Sequence, residues 1–204
     1  MKTTHMQQVE FDKVVRPPYS KGAIIRNDFP GFREDYLTVH SLIRRYEPKT
    51  IMEIGTSTGL GTNVVCNAMG FKRFRKNKEG KKVFSIDVPP GTNPKIIYPD
   101  GEDGHPKKAG KYCKLPYTQV YGSSLNFDFS PYYPIEAWFI DGKHDYTYTK
   151  NDAELALKSD PMLIMWHDVD IQGVSDAIIA VMGAHTAYAL FRVLGTRVAY
   201  AVKS

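Results

Sequence analysis

Acidic residues and a histidine stand directly after several short apolar runs of this chain. Asp87 ends one such run, Asp141 ends another, and the pair His167-Asp168 ends a third. Short apolar runs bounded by turn-forming residues are typical of buried strands. In open α/β sheets, a ligand binds outside the carboxyl ends of parallel strands. The sequence therefore predicts that these side chains face one crevice.

A glycine-rich turn follows another apolar run, residues 50–54. The turn contains Gly55, Ser57 and Gly59, and Glu53 precedes it. It lacks the second and third glycines of a dinucleotide fingerprint, and no Gly-Lys-Ser/Thr of a P-loop follows. Glycine still lets a ligand approach the backbone closely. We therefore expect this turn to bind a ligand that needs no phosphate cradle.

The spacing Glu-x-Gly-x-x-x-Gly at Glu53, Gly55 and Gly59 resembles the first motif of class I S-adenosylmethionine-dependent methyltransferases. Residues 139–146 then read Phe-Ile-Asp-Gly-Lys-His-Asp-Tyr, and the His-Asp pair at 167–168 comes after them. This resembles the methyltransferase branch that carries Phe-Ile-Asp-Gly-x-His-x-Tyr followed by His-Asp. That branch includes small-molecule O-methyltransferases and relatives of the cephalosporin-hydroxylase group.

The resemblance covers roughly residues 51–202 and departs at Ser159-Asp160-Pro161, which replace the usual Gly-Gly before a strand. It implies methyl transfer from S-adenosylmethionine to a hydroxyl of a small-molecule acceptor. Two alternatives stay open, because a fold does not by itself fix a function. One is a nucleic-acid-modifying or hydroxylase-like enzyme on the same fold, and the other is a cofactor-binding module without catalysis.

The resemblance also implies which residues contact S-adenosylmethionine. The carboxylate of Asp87 would accept hydrogen bonds from both ribose hydroxyls. Ser123 and Ser124 stand where an acidic residue often reads the adenine edge. The expected cofactor-binding residues are Glu53, Gly55, Ser57, Gly59, Asp87, Ser123, Ser124 and Asp141.

A divalent cation is the second cofactor that the resemblance implies. In metal-dependent O-methyltransferases of similar fold, an acid after the fourth strand and a polar pair after the fifth hold the cation. Here these residues are Asp141, His167 and Asp168, with His144 as a rival third ligand. Carboxylates suit magnesium, histidine also admits manganese, and either cation would lower the pKa of an acceptor hydroxyl. The alternative is that no metal binds, Asp141 caps a turn and the His-Asp pair orients a loop.

His144 is the candidate general base. It comes three residues after the strand-end acid Asp141, and an imidazole titrates near neutral pH. Together with Asp141 and Asp168 it forms the expected catalytic set. The alternative is a loop histidine whose role is only to form hydrogen bonds.

The spacing of apolar residues predicts a single α/β domain that spans the whole chain. We expect a doubly wound, mostly parallel sheet of the Rossmann-like methyltransferase type, closed by a C-terminal antiparallel hairpin of residues 189–193 and 197–202. Helical spacing covers residues 33–46. Residues 1–30 are expected to form an N-terminal arm, and residues 88–116 a long loop that serves as a lid.

Composition narrows the class of protein. No apolar run approaches the roughly 20 residues of a membrane span, and the first residues lack a signal-peptide core, so we expect a cytoplasmic protein without membrane contact. Basic residues cluster at 72–82 and 107–114, where they read as solvated segments, and nucleic acid is a disfavoured partner. The two cysteines have no CxxC spacing, which argues against a disulfide framework or zinc. Composition leaves a homo-oligomer open.

Overall fold

The computed structural model describes residues 6–15, 33–72, 80–89 and 109–204. Strands and helices alternate along most of the chain. The strands are β1 (Gln7–Val9), β2 (Thr50–Ile54), β3 (Lys82–Asp87), β4 (Thr118–Tyr121), β5 (Ala137–Ile140), β6 (Leu163–Trp166), β7 (Tyr188–Val193) and β8 (Ala199–Lys203). The helices are α1 (Phe11–Val14), α2 (Arg33–Tyr46), α3 (Leu60–Ala68), α4 (Tyr146–Lys158) and α5 (Gln172–Met182), with a 3-10 turn at Ser130–Tyr132.

The strands form one eight-stranded sheet in the order β1-β7-β8-β6-β5-β2-β3-β4. β8 runs antiparallel to both of its neighbours, β6 and β7, and every other pair of neighbours is parallel. The predicted mostly parallel sheet and the C-terminal antiparallel hairpin are therefore confirmed. Within the hairpin, the second strand returns into the sheet beside β6, so the first strand lies farther out.

Helices cover both faces of the sheet. Side chains of α2 and α3 pack on one face with Phe139, and those of α4 and α5 pack on the other with Trp138. Adjacent residues of β5 thus point into opposite cores, as the two-residue period of a strand requires. Every residue of β5 and β6 is buried, which is why their sequences are continuous apolar runs rather than alternating ones. The doubly wound architecture predicted from the sequence is confirmed.

Helix α2 has the bounds that its apolar spacing predicts. Val39, Leu42 and Ile43 are completely or almost completely buried against the sheet. Helix α3 begins at Leu60, because Gly59 in a left-handed conformation ends the preceding turn there. None of the helices in the described ranges combines the length and apolar character needed to cross a bilayer.

The described part of the expected N-terminal arm belongs to the domain. β1 pairs in parallel with β7 at the edge of the sheet, and Val14 and Val15 are buried in the core beside α2. In the expected lid, residues 90–108 lie outside the described residues, as does most of the basic segment 72–82. The lid therefore stays a prediction, whereas residues 6–15 are an integral edge of the fold.

Replacing Val15 tests whether this N-terminal segment packs into the core. We expect Val15→Ala to lower the free energy of unfolding by about 2 kcal/mol, because it removes buried methyl groups and leaves a cavity. Lys13→Ala is the matched control, since Lys13 is exposed two residues earlier in the same segment, and it should change stability by less than about 0.5 kcal/mol. Urea unfolding followed by circular dichroism measures both, and equal effects would contradict the packing.

Candidate functional site

The functional residues meet where the parallel strands end. Ile54 stands opposite Ile140 in the β2–β5 pair and opposite Ile86 in the β2–β3 pair. Backbone hydrogen bonds continue this alignment by one residue, since the amides of Gly55 and Asp141 donate to the carbonyls of Ile86 and Ile54 at 2.9 and 2.8 Å. The turn after β2 and the acid after β5 are therefore fixed side by side.

The turn after β2 depends on glycine at two positions. Gly55 has φ +101° and Gly59 has φ +85°, values that favour glycine. A Cβ on residue 55 would come within 2.6 Å of the Asp141 carbonyl carbon and closer still to its oxygen. A Cβ on residue 59 would lie 2.6 Å from the Cα of Gly110. The backbone of the turn thus touches both the β5 end and the last part of the long loop.

Asp87 joins the end of β3 to this turn. Its Oδ2 accepts a hydrogen bond from the Ser57 amide at 2.6 Å, and its Oδ1 accepts one from the Val88 amide at 2.8 Å. Ser57 itself adopts φ +44°, a left-handed conformation that is uncommon outside glycine. The carboxylate therefore stabilises the unusual backbone of the turn and stands at its rim.

Glu53 lies underneath the turn and has no exposed surface. Its Oε2 accepts hydrogen bonds from the hydroxyls of Thr62 and Ser85, both at 2.5 Å. Its Oε1 is buried without a hydrogen-bond partner among the described residues, in a space that only a glycine at position 61 leaves open. Burial raises the pKa of Glu53 to about 8. A neutral carboxyl is therefore favoured at this position at neutral pH.

Ser123 and Ser124 lie on the far side of Asp87 at the same edge. The amide of Gly122, which precedes them, donates to the Asp87 carbonyl at 2.9 Å. The carbonyl of Ser124 accepts a hydrogen bond from Asn151 of α4 at 3.1 Å. The structure therefore brings the whole expected cofactor set, from Glu53 to Asp141, to one edge of the sheet. Their contact with a cofactor remains a prediction.

Two acids and two histidines form a compact pocket beside the turn. His167 Nδ1 lies 3.3 Å from Asp141 Oδ1 and 3.1 Å from Asp168 Oδ2. His144 Nε2 lies 2.9 Å from the same Asp168 oxygen and 3.7 Å from Asp141 Oδ1. The His167 side chain is buried, whereas that of His144 is 43% exposed and marks the mouth of the pocket.

The spacing of these atoms fits a divalent cation. Asp141, His167 and Asp168 each offer a ligand atom within 4.8 Å of the other two. Octahedral neighbours about 2.1 Å from an ion are about 3 Å apart, and tetrahedral neighbours are about 3.4 Å apart. The nitrogen–oxygen separations of 3.1 and 3.3 Å at His167 fall in this range. The residues present therefore fit the cation that the sequence implies.

The charges in the pocket explain the pKa shifts of its residues. Hydrogen bonds to Asp141 and Asp168 raise the pKa of His144 to about 9. Burial opposes a charge on His167, but the surrounding carboxylates outweigh burial and raise its pKa strongly. Burial would raise the pKa of Asp168, yet hydrogen bonds to both histidines hold it far below its usual value. The pocket thus favours ionised carboxylates that face positive charge.

Two residues that sequence reasoning missed support this pocket. Asp35 of α2 is buried and lies 3.1 Å from His167 Nε2. Arg197, in the turn between β7 and β8, donates to Asp35 from Nε and Nη2 and to Asp168 from Nη1, at 2.9 to 3.0 Å. One sequence signal was available, because Asp35 lies four and seven positions before Val39 and Leu42, on the buried face of the helix. Nothing in the local sequence of Arg197 marks it as functional.

Known proteins match this chain by structure only. No protein-family model and no curated protein matches its sequence. The SAH-bound methyltransferase PaMTH1 from Podospora anserina has a TM-score of 0.58 at 12% identity, covering 84% of this chain and 79% of that chain. The O-methyltransferase TomG from Streptomyces achromogenes, in complex with SAM, has a TM-score of 0.56 at 14% identity, covering 89% and 82%. CalS11, a TDP-rhamnose 3'-O-methyltransferase of calicheamicin biosynthesis, has a TM-score of 0.54 at 17% identity, covering 94% and 90%. Likeness at such low identity establishes a shared fold.

A pair of glycine substitutions tests the close backbone approach at the turn. Gly55→Ala introduces a Cβ that overlaps the Asp141 carbonyl, so we expect a loss of at least about 3 kcal/mol in the free energy of unfolding. Gly70→Ala is the matched control, because Gly70 also has positive φ but nothing lies within 4 Å of an added Cβ. It should cost about 1–2 kcal/mol. Urea unfolding that gives equal losses would contradict the tight contact.

Proposed function

We propose that this chain is a methyltransferase that transfers the methyl group of S-adenosylmethionine to a hydroxyl of a small molecule. One observation carries the proposal. A glycine turn that lacks a phosphate-binding motif contacts a pocket of acids and histidines through Gly55 and Asp141. The fold adds support, because solved structures of that fold include methyltransferases described with SAH or SAM bound. An acceptor bound at the pocket would lie next to the cofactor at the turn.

The cofactor half of the proposed site needs no positive charge for a phosphate group, because S-adenosylmethionine has none. S-adenosylmethionine carries an amino acid, a ribose and an adenine, and the glycine turn allows close approach of such a ligand to the backbone. Asp87 at the rim of the turn is assigned to the ribose hydroxyls, because a carboxylate accepts from a vicinal diol. Ser123 and Ser124 are assigned to the adenine end. Glu53 is assigned a supporting role beneath the amino-acid end, because its carboxyl is completely buried under the turn.

The acceptor half is assigned to the pocket of acids and histidines. Asp141, His167 and Asp168 would hold magnesium or manganese, since two carboxylates and an imidazole suit these ions. A bound cation would lower the pKa of an acceptor hydroxyl and orient it. His144, half-exposed at the mouth and 2.9 Å from Asp168, is assigned the role of proton acceptor. A bound cation would offset the charge of the carboxylates that raise the pKa of His144 to about 9, so that the imidazole could be neutral. Catalysis then rests mainly on in-line placement of the oxygen and the methyl group.

A small molecule is the acceptor class that we propose. CalS11, which shares the fold, is described as acting on a nucleotide sugar, TDP-rhamnose. Tyr146, two residues after His144, and Ile171, three residues after Asp168, have exposed apolar side chains, which suit the apolar parts of a small acceptor.

Cofactor binding is the first test of this proposal. S-adenosylhomocysteine should raise the melting temperature of the wild type, with a stabilisation of about 2.7 kcal/mol at a ligand concentration 100 times the Kd. Asp87→Asn should weaken binding by about 10-fold or more, because hydrogen bonds to a charged acceptor contribute about 1.5–3 kcal/mol each. Thermal shift and titration calorimetry measure both effects.

Asp128→Asn serves as the control for Asp87. Asp128 also accepts a backbone hydrogen bond in a turn, from Ser130 at 2.9 Å, but it is exposed and away from the strand ends. Its replacement should leave cofactor affinity unchanged. A folded wild type that binds neither S-adenosylmethionine nor S-adenosylhomocysteine in calorimetry would remove the methyltransferase assignment.

Metal dependence is the second test. We expect excess chelator to abolish turnover of an identified acceptor, and magnesium or manganese to restore it. Asp168→Asn should reduce manganese affinity by at least about 10-fold and turnover sharply. The same replacement should affect cofactor affinity less than Asp141→Asn does, because Asp141 also adjoins the turn.

Asp160→Asn is a matched control for Asp168. Both aspartates have left-handed backbones, with φ +50° and +54°, a conformation that asparagine tolerates. Asp160 is exposed and pairs with Lys203 outside the pocket. Its replacement should leave manganese affinity and turnover unchanged. Turnover that persists in excess chelator would reassign Asp141 and Asp168 to hydrogen bonding and leave His144 as the base.

A further inference from the structure

The start of helix α2 reaches the pocket from the opposite side of His167. Asp35 Oδ2 lies 3.1 Å from His167 Nε2, and both side chains are almost completely buried. A carboxylate only accepts hydrogen bonds, so the nitrogen that faces it must carry the proton. Nδ1, on the other side of the ring, faces Asp141 and Asp168 at 3.3 and 3.1 Å. By the same argument Nδ1 carries a proton in the metal-free protein, and a cation held by these residues would take the place of that proton.

Arg197 fixes the carboxylate that makes this contact. Its backbone amide donates to Asp35 Oδ1 at 2.8 Å, and its guanidinium donates to Oδ2 from Nε at 3.0 Å and from Nη2 at 2.9 Å. A guanidinium stays charged at any ordinary pH and presents its donors in a rigid fork. The carboxylate of Asp35 is therefore held in one orientation, with Oδ2 directed to the histidine.

Tyr36, the next residue of α2, restricts the same imidazole in a second way. Its ring is stacked on that of His167, with centroids 6.1 Å apart and an interplanar angle of 15°. The hydrogen bond to Asp35 sets which edge of the imidazole faces the helix, and the stacked ring limits the tilt of its plane. One helical turn therefore determines both the direction and the plane of His167.

We propose that Asp35 is a positioning residue, which holds His167 with Nε2–H directed to α2 and Nδ1 directed into the pocket of Asp141 and Asp168. The role toward a cation rests on the proposed function, whereas the orientation of the ring does not. In many metal sites a histidine ligand donates its other N–H to a carboxylate, which fixes the tautomer and orients the ring. Asp35 supplies that carboxylate from a helix more than 100 residues away in sequence.

A purely structural role is the rival explanation. Asp35 and Arg197 also tie α2 to the turn between β7 and β8, and loss of that tie would lower stability. Asp35→Leu removes both carboxylate oxygens and keeps a side chain of similar size. Arg197 would lose its bonds to Asp35 and keep its bond to Asp168, and Nε2–H of His167 would have no acceptor on α2. The loss of the tie is then measured as stability, whereas the orientation of the ring is measured by NMR and by metal binding.

The experiment combines nitrogen NMR of the metal-free protein with manganese titration. In the wild type, the His167 side chain should show a protonated, slowly exchanging Nε2, assigned by its loss in His167→Gln. Asp35→Leu should remove that signal and weaken manganese binding by about 10- to 100-fold. Thr38→Val is the matched control, because it deletes a buried hydrogen bond within α2, from Oγ1 to the Glu34 carbonyl at 2.8 Å. It should leave both the signal and the manganese affinity unchanged.

Each outcome decides the proposal. An Asp35→Leu protein that keeps the Nε2–H signal and the manganese affinity, with only its stability reduced, would overturn it. If the wild type binds no manganese, the cation in the proposed function fails, and the NMR comparison alone decides the positioning role. Should Asp35→Leu not fold, the wild-type spectrum still decides, since an unprotonated Nε2 in the folded protein would overturn the proposal.

Discussion

The common register of the central parallel strands is the constraint on which the site depends. Ile54, Ile140 and Trp166 stand opposite one another in three neighbouring strands, so the residues that follow them leave the sheet at one level. This brings the glycine turn, Asp141 and His167 together without any long side chain. A shift of one residue in a single strand would move its buried side chains to the other face. The packing that fixes the core therefore also fixes the geometry of the site.

Buried charge is the main energetic cost of the arrangement. Three carboxylates converge on His167, and an isolated buried charge would be strongly unfavourable. The cost is reduced because each of the three carboxylates has specific partners. Arg197 and His167 pair with Asp35, and Arg197 and His144 pair with Asp168. Both histidines pair with Asp141. Removing one partner leaves an uncompensated buried charge, which lowers stability far more than replacing the whole pair by apolar residues does. The network thus favours one arrangement of α2, the strand ends and the hairpin turn.

Local sequence patterns predicted the sheet, the helix at residues 33–46 and the strand-end residues, because each depends on short-range periodicity or on turn chemistry. The same reasoning brought Asp141, His167 and Asp168 to one place, which the structure confirms as geometry. It could not find Asp35 or Arg197, whose contact joins residues 162 apart in sequence. It also missed β1 and α1, three and four residues long, since segments this short acquire their structure from tertiary contacts rather than from their own pattern.

Asp141 belongs to both halves of the proposed site. Its backbone carbonyl is in tight contact with Gly55 of the turn, and its carboxylate lies in the pocket of histidines. The position of this residue therefore couples the turn to the pocket. The carboxylate of Asp168 contacts the histidines of the pocket and Arg197, whereas that of Asp87 contacts the backbone of the turn. In the proposed site, Asp141 would therefore be the residue that sets the distance between the two ligands.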